Sequence, residues 1–96
     1  MEVLWLRKAL INLDAEAEYI ARDDPKAARR VVKRVVEATK LLIDNPALGH
    51  PGRINGTREL IVPDTRYIVP YRVNLHAKRI EILRVFHASR KLPDRW

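Results

Sequence analysis

Helical spacing fills the first half of this chain and strand spacing fills the second, with a glycine- and proline-rich stretch between them. Leu10, Leu13, Ala17 and Ile20 recur at steps of three and four, the stripe of an amphipathic helix that starts at Arg7 and ends near Arg22. Asp23-Asp24-Pro25 then supplies a capping residue, Asp24, and a proline at the first position of a second helix. That helix is expected from Pro25 to about Asp44. Ala28, Val31, Val32, Val35, Thr39, Leu42 and Ile43 form its apolar stripe, and Lys26, Arg29, Arg30, Lys33, Arg34, Glu37 and Lys40 its outer face. Asn45-Pro46 stops it, because the residue before a proline avoids helical geometry. So short a connection folds the two helices into an antiparallel hairpin.

Residues 45–57 hold all three glycines and two of the six prolines, the composition of a surface loop. Three strand-like runs follow, at Arg58–Val62, Tyr67–Val73 and Arg79–Phe86, separated by turn-forming segments at 63–66 and 74–78. Val3–Leu6 reads as a first strand ahead of the helices. Pro70 cannot donate to a ladder, so it is expected at a bulge or on an unpaired side. The tail, His87–Trp96, reads as short, basic and irregular. The order β-α-α-β-β-β indicates an α+β fold, with the helical hairpin packed on one face of a small antiparallel sheet. Ninety-six residues leave too little core for a second unit, so residues 1–96 are expected to form a single domain.

Charge is distributed unevenly. Residues 1–48 carry nine Lys/Arg against eight Asp/Glu, whereas residues 49–96 carry ten against four. A basic C-terminal half attracts anionic partners. Arginine outnumbers lysine thirteen to six, which favours bidentate recognition of carboxylate or phosphate. Cysteine is absent, which excludes disulfides, thiolate metal sites and cysteine nucleophiles. His50, His76 and His87 lack metal-ligand spacing. There is no phosphate-binding glycine loop, and neither metal nor cofactor is implied. No apolar run approaches the roughly 18 residues needed to cross a bilayer, and the N-terminus lacks the marks of a signal peptide. A cytoplasmic protein without membrane contact is expected.

The strings GHPGRINGTRELIVPDTRYIVPYRV and RIEILRVFHASRKLP, preceded by a helical segment running through Tyr19–Pro25 and Ala27–Arg29, resemble RelE/ParE-type toxins along nearly the whole chain. The resemblance implies a toxin of a type II toxin–antitoxin system, neutralised by a cognate antitoxin that wraps an acidic or disordered C-terminal segment over it. Operator DNA would then be met only indirectly, through the antitoxin. Two activities occur among such toxins. RelE-like members cleave messenger RNA in the ribosome's decoding site, and ParE-like members act on DNA gyrase. A third reading, from composition alone, is a non-toxic nucleic-acid-binding module. It ranks last because few aromatics are available to stack on bases.

RNA cleavage on this scaffold needs a base for the ribose hydroxyl, cations for the developing charge and an acid for the leaving oxygen. Arg58, Arg84, His87 and Arg90 are the candidate catalytic group for that activity. Arg90 falls where the resemblance places a tail arginine used by the nucleases. His87 is the natural proton-transfer candidate, because an unperturbed imidazole exchanges its proton near neutral pH, though a histidine at a strand end also serves as a structural hydrogen-bonding residue. Glu59 is a poorer base, on the opposite side of the pleat from Arg58. Arg53, Arg58, Arg66, Arg84, Arg90 and Trp96 are the candidates for binding a target or antitoxin. Arg84 is expected on one strand face with Ile80, Ile82 and Phe86, where an arginine calls for a specific anionic partner. Arg72 and Arg79 are expected to keep sheet edges soluble. Trp5 is expected in the core, Trp96 as a tail anchor, and Tyr19, Tyr67 and Tyr71 in core or hairpin packing. Two departures favour the ParE-like branch. Ile68 stands where many nuclease relatives carry an arginine, and the tail lacks the tyrosine that some nucleases use.

Overall fold

A computed structural model describes residues Met1–Trp96. Strand β1 (Glu2–Trp5) leads into helices α1 (Arg7–Ala21) and α2 (Pro25–Lys40), and a 3₁₀ turn at Leu41–Ile43 ends the helical half. Strands β2 (His50–Pro51), β3 (Arg58–Ile61), β4 (Tyr67–Asn74), β5 (Arg79–Ile82) and β6 (Phe86–His87) follow. The α+β order expected from the sequence is therefore present, with additions in the loop and at the C-terminal edge.

The Asp24 side chain caps α2 by accepting from the Ala27 N–H at 3.0 Å, with Pro25 in the first turn as anticipated. α1 buries Ala9, Leu13 and Glu16 rather than the expected Leu10, which is 48% exposed. The stripe is rotated because it runs through 9, 13, 16 and 20, and a glutamate in that row disguises it. Ile43 is likewise exposed, since α2 tightens into a 3₁₀ turn before reaching it. Val35, Leu42, Val69, Tyr71, Ile80 and Ile82 are fully buried where the hairpin meets the sheet.

The sheet runs β1-β5-β4-β3-β2, with β6 also paired to β4. It is mixed rather than wholly antiparallel, because β1 pairs with β5 in parallel. β3 and β5 both run opposite to β4, and β1 joins the free edge of β5 in that shared direction. Such a parallel pair needs a long crossover, which the helices and the first two long strands provide. The loop expected at 45–57 contains β2, whose two residues pair with Arg58 and Glu59.

Pro70 accounts for the largest departure in the strands. Its carbonyl accepts from the Leu83 N–H at 2.9 Å, so its donorless nitrogen faces the same neighbour. The single strand expected at Arg79–Phe86 is broken there, at Leu83–Val85. Pairing slips by one residue across the break, with Tyr71 opposite Ile82 but Tyr67 opposite His87. This is a bulge, as expected for a proline inside a strand. The slip turns Phe86 to the open face and brings His87 to the helix face beside Tyr67. Arg84 consequently lies in the break instead of sharing a face with Ile80, Ile82 and Phe86.

Candidate functional site

Around the bulge the chain builds two cavities from residues distant in sequence. The first, about 410 Å³, lies between α1 and the start of the tail and is lined by Tyr19, Arg66, Tyr67, His87, Ser89 and Arg90 among others. Tyr19 belongs here rather than in the core, being 62% exposed. Two of these lining residues, Tyr67 and Arg90, meet at Glu16, a buried carboxylate. It accepts from the Tyr67 hydroxyl at 3.1 Å and from the Arg90 guanidinium. Burial, reinforced by the Glu16 carboxylate, pushes the Tyr67 phenol up to about 12. The hydrogen bond to Glu16 raises Arg90 further above its already high value.

The His87 ring stands edge-on to Tyr67 at 5.3 Å. Its Nδ1 accepts from the Ser89 backbone N–H at 3.2 Å and lies 2.6 Å from the Ser89 hydroxyl. An Nδ1 that accepts from an amide leaves the neutral ring's proton on Nε2. Arg66 joins the cavity through the turn before β4, and its carbonyl accepts from the Ala88 N–H.

The second cavity, about 550 Å³, opens on the other side of the bulge, between the 54–57 loop, the start of α1 and the C-terminal residue. Arg84, Arg72, Thr57 and Trp96 line it with the apolar Leu6, Ile54 and Leu83. Trp96 packs on Phe86 at 5.5 Å between centroids, and the Arg53 guanidinium lies 5.8 Å from its ring. Trp96 therefore anchors the tail, as the sequence suggested.

Three buried glutamates organise the surrounding arginines. Arg53 forms a fork onto Glu59, with Nε at 3.0 Å and Nη2 at 3.2 Å from the two carboxylate oxygens, and its backbone N–H adds a third bond. Burial pushes the Glu59 carboxyl up, but these donors outweigh it and hold the group below its ordinary value. On the open face of the sheet, Arg72 and Arg79 both bind Glu81, whose carboxyl is lowered by hydrogen bonds first from Arg72 and then from Arg79. These two arginines are thus partners of a buried acid, not merely solubilising edge charges.

The candidate catalytic group is not gathered around one point. His87 and Arg90 share the first cavity with Arg66, while Arg84 lines the second. Arg58 donates to the Gly49 carbonyl at 2.6 Å, bracing the loop beside β2. Of the binding candidates, Arg84 and Trp96 line the second cavity, with Arg53 against the Trp96 ring, and Arg66 and Arg90 line the first. Sequence reasoning passed over Glu16 and Glu81. A charged residue at the center of the stripe through Ala9, Leu13 and Ile20 was the available signal for Glu16; Glu81 had none, because alternation alone marks it as outward. No group of three His, Asp or Glu is placed to hold a metal ion, and no helix is long and apolar enough to cross a membrane.

A helical hairpin on one face of a small sheet, with arginines gathered around a bulge and a packed basic tail, defines a small basic α+β domain. The sequence profile of the ParE toxin of the type II toxin–antitoxin system parDE matches residues 3–92, and the chain belongs to that family. It is 46% identical to Y4kP of Sinorhizobium fredii, described as a candidate toxin, over 96% of this chain and 93% of the relative. It is also 31% identical to toxin RelE2 of Caulobacter vibrioides, over 93% of this chain and 97% of that one. A solved structure of the chromosomal ParDE toxin–antitoxin system from P. aeruginosa superposes with a TM-score of 0.81, at 33% identity, covering 93% of this chain and 97% of that one.

Proposed function

We propose that this chain arrests growth by inhibiting DNA gyrase, and that a cognate antitoxin neutralises it in the cytoplasm. The observation that carries the reading is the ParE-type match across residues 3–92, since gyrase is the target associated with the ParE-like branch. The geometry is consistent with it. RNA cleavage would require base, acid and cations around a single phosphate, yet Arg58 and Arg90 are turned to different protein partners and Arg84 lines a separate cavity from His87. His87 Nδ1 is engaged by Ser89, and Ile68 stands where a nuclease relative would carry arginine. On this reading the chain acts by binding, without turning over a substrate.

Antitoxin docking has support from the apolar surface. A groove of about 470 Å³ on the helical hairpin is lined by Ala17, Ala21, Ala28 and Val32 and flanked by Arg29 and Lys33. Leu41, Leu48 and Ile61 are exposed beside the edge of β3. An extended segment carrying both acidic and apolar side chains would satisfy these features together and would order on binding.

A second reading, a ribosome-dependent endoribonuclease, draws on the cavity shared by Arg66, His87 and Arg90 and on the similarity to RelE2. Expressing the chain with and without its neighbouring reading frame, while following plasmid supercoiling and transcript integrity in parallel, separates the two. Lost supercoiling with intact transcripts supports gyrase; codon-positioned cuts support the nuclease. Growth unaffected by the isolated chain would contradict both.

A further inference from the structure

We propose that the cavity around Arg84 is a carboxylate subsite, built to receive one acidic side chain of the antitoxin's extended segment. This rests on the antitoxin reading above and assigns that partner a specific point of attachment.

Arg84 differs from the other arginines around the bulge. Arg53, Arg72, Arg79 and Arg90 each hold a carboxylate of this chain, Arg58 spans to the Gly49 carbonyl, and Arg66 is exposed. Arg84 is partly buried and forms no ion pair; its one protein partner is the adjacent Leu83 carbonyl, 2.6 Å from Nη1. Burial alone acts on its guanidinium, lowering its pKa, which is the signature of a cation drawn out of water without an acid to compensate it. A guanidinium has five N–H donors in a planar fork, so most of this one's capacity is unused.

The surroundings select the kind of anion. Arg72 lines the same cavity and binds Glu81 through Nε, which leaves its terminal nitrogens for another acceptor. Of the two arginines that line the cavity, Arg72 is already paired with Glu81 and only Arg84 is not, which favours one singly charged acid over a doubly charged phosphate. Leu6, Leu83 and the Trp96 ring supply apolar walls, which suit the methylenes of a glutamate and its neighbours in a peptide. The Thr57 hydroxyl lies at the rim, 3.4 Å from Trp96 Nε1. At about 550 Å³ the space is larger than one carboxylate requires and fits a side chain with flanking backbone.

The test follows the Arg84 Nε–H and Trp96 Nε1–H resonances of the full chain during titration with acetyl-Leu-Glu-Leu-amide, with acetyl-Leu-Gln-Leu-amide and with inorganic phosphate. The glutamate peptide should shift both signals saturably. The glutamine peptide and phosphate should bind at least about tenfold more weakly, the scale of a lost charge-assisted hydrogen bond. Arg84→Gln should abolish the response, and Lys26→Gln in the first turn of α2 should leave it unchanged. Equal binding of the glutamine peptide, or phosphate binding as tightly as the glutamate peptide, would overturn the proposal; neither comparison depends on a variant's folding. If the chain proved non-toxic while the peptide still bound, the antitoxin reading would fail and the subsite would stand. A toxic, neutralisable chain with no peptide response would give the reverse.

Discussion

Arg90 Nη1 donates to Glu16 Oε2, joining the C-terminal tail to α1 across 74 residues of sequence. The other oxygen of that carboxylate accepts from the Tyr67 hydroxyl, so one buried acid ties helix, sheet and tail together. The tail's position, and with it the first cavity, depends on a residue in the opening helix.

Glu16→Ala should therefore destabilise the fold by about 1–3 kcal/mol, chiefly because the buried Tyr67 hydroxyl loses its acceptor. Glu16→Gln, which keeps an oxygen for Tyr67, should cost less. Urea denaturation of the two variants checks this. Identical midpoints for Glu16→Ala and the parent chain would remove Glu16 from this role.

Acid should loosen the open face of the sheet. Glu59 and Glu81 have carboxyls held below their ordinary values, so their contribution is complete above the unfolded pKa of about 4.3 and fades as pH falls through the folded value. Glu81→Gln should flatten the acid limb of the stability curve. The opposite sign holds for Tyr67, whose phenol at about 12 favours the folded state below about 10 and ceases to do so as pH rises further. An ultraviolet titration of the phenols should show Tyr67 ionising late, with Tyr71, which burial also pushes up, later than an ordinary phenol. Three tyrosines titrating together would contradict the Glu16–Tyr67 contact.

Gly49 should not tolerate a side chain. A methyl group there would meet Tyr71 Cε1 at 2.7 Å and the Glu59 carbonyl oxygen at 2.8 Å, while Tyr71 Oη accepts from the Gly49 N–H and donates to the Pro46 carbonyl. Gly49→Ala should cost about 1–3 kcal/mol through overpacking. Gly56→Ala has open space around it and is strained only by its φ of +81°. Thermal melts in which Gly56→Ala proved much the worse would contradict this packing.

Antitoxin affinity should weaken as salt rises, because Arg84, which no acid of this chain holds, contributes an ionic contact to an acidic segment. Titration calorimetry across a salt series checks it. An affinity indifferent to salt would count against an acidic segment.

Much of this architecture is legible in the sequence. Helix α2 announced itself through Asp24, Pro25 and its valine stripe, and the hairpin followed from a short connection. Pro70 announced a bulge, but not that the slip would break the last strand, place Arg84 in the gap and turn His87 towards Tyr67. A four-residue β1 carries no mark of parallel pairing. The site was less legible for a related reason. Which arginine is free depends on where Glu16, Glu59 and Glu81 lie in space, and those partners arrive from other elements. Composition showed an excess of arginine; only the packed structure distinguishes Arg84, without an acid, from Arg53 or Arg72.

Supercoiling of relaxed plasmid by purified gyrase and ATP, with increasing amounts of the purified chain, bears directly on the proposed target. Supercoiling should fall as the chain is added and recover when the antitoxin is supplied. Full supercoiling at a large excess of chain, with codon-positioned cuts in ribosome-bound messenger RNA under matched conditions, would contradict gyrase inhibition and favour the nuclease.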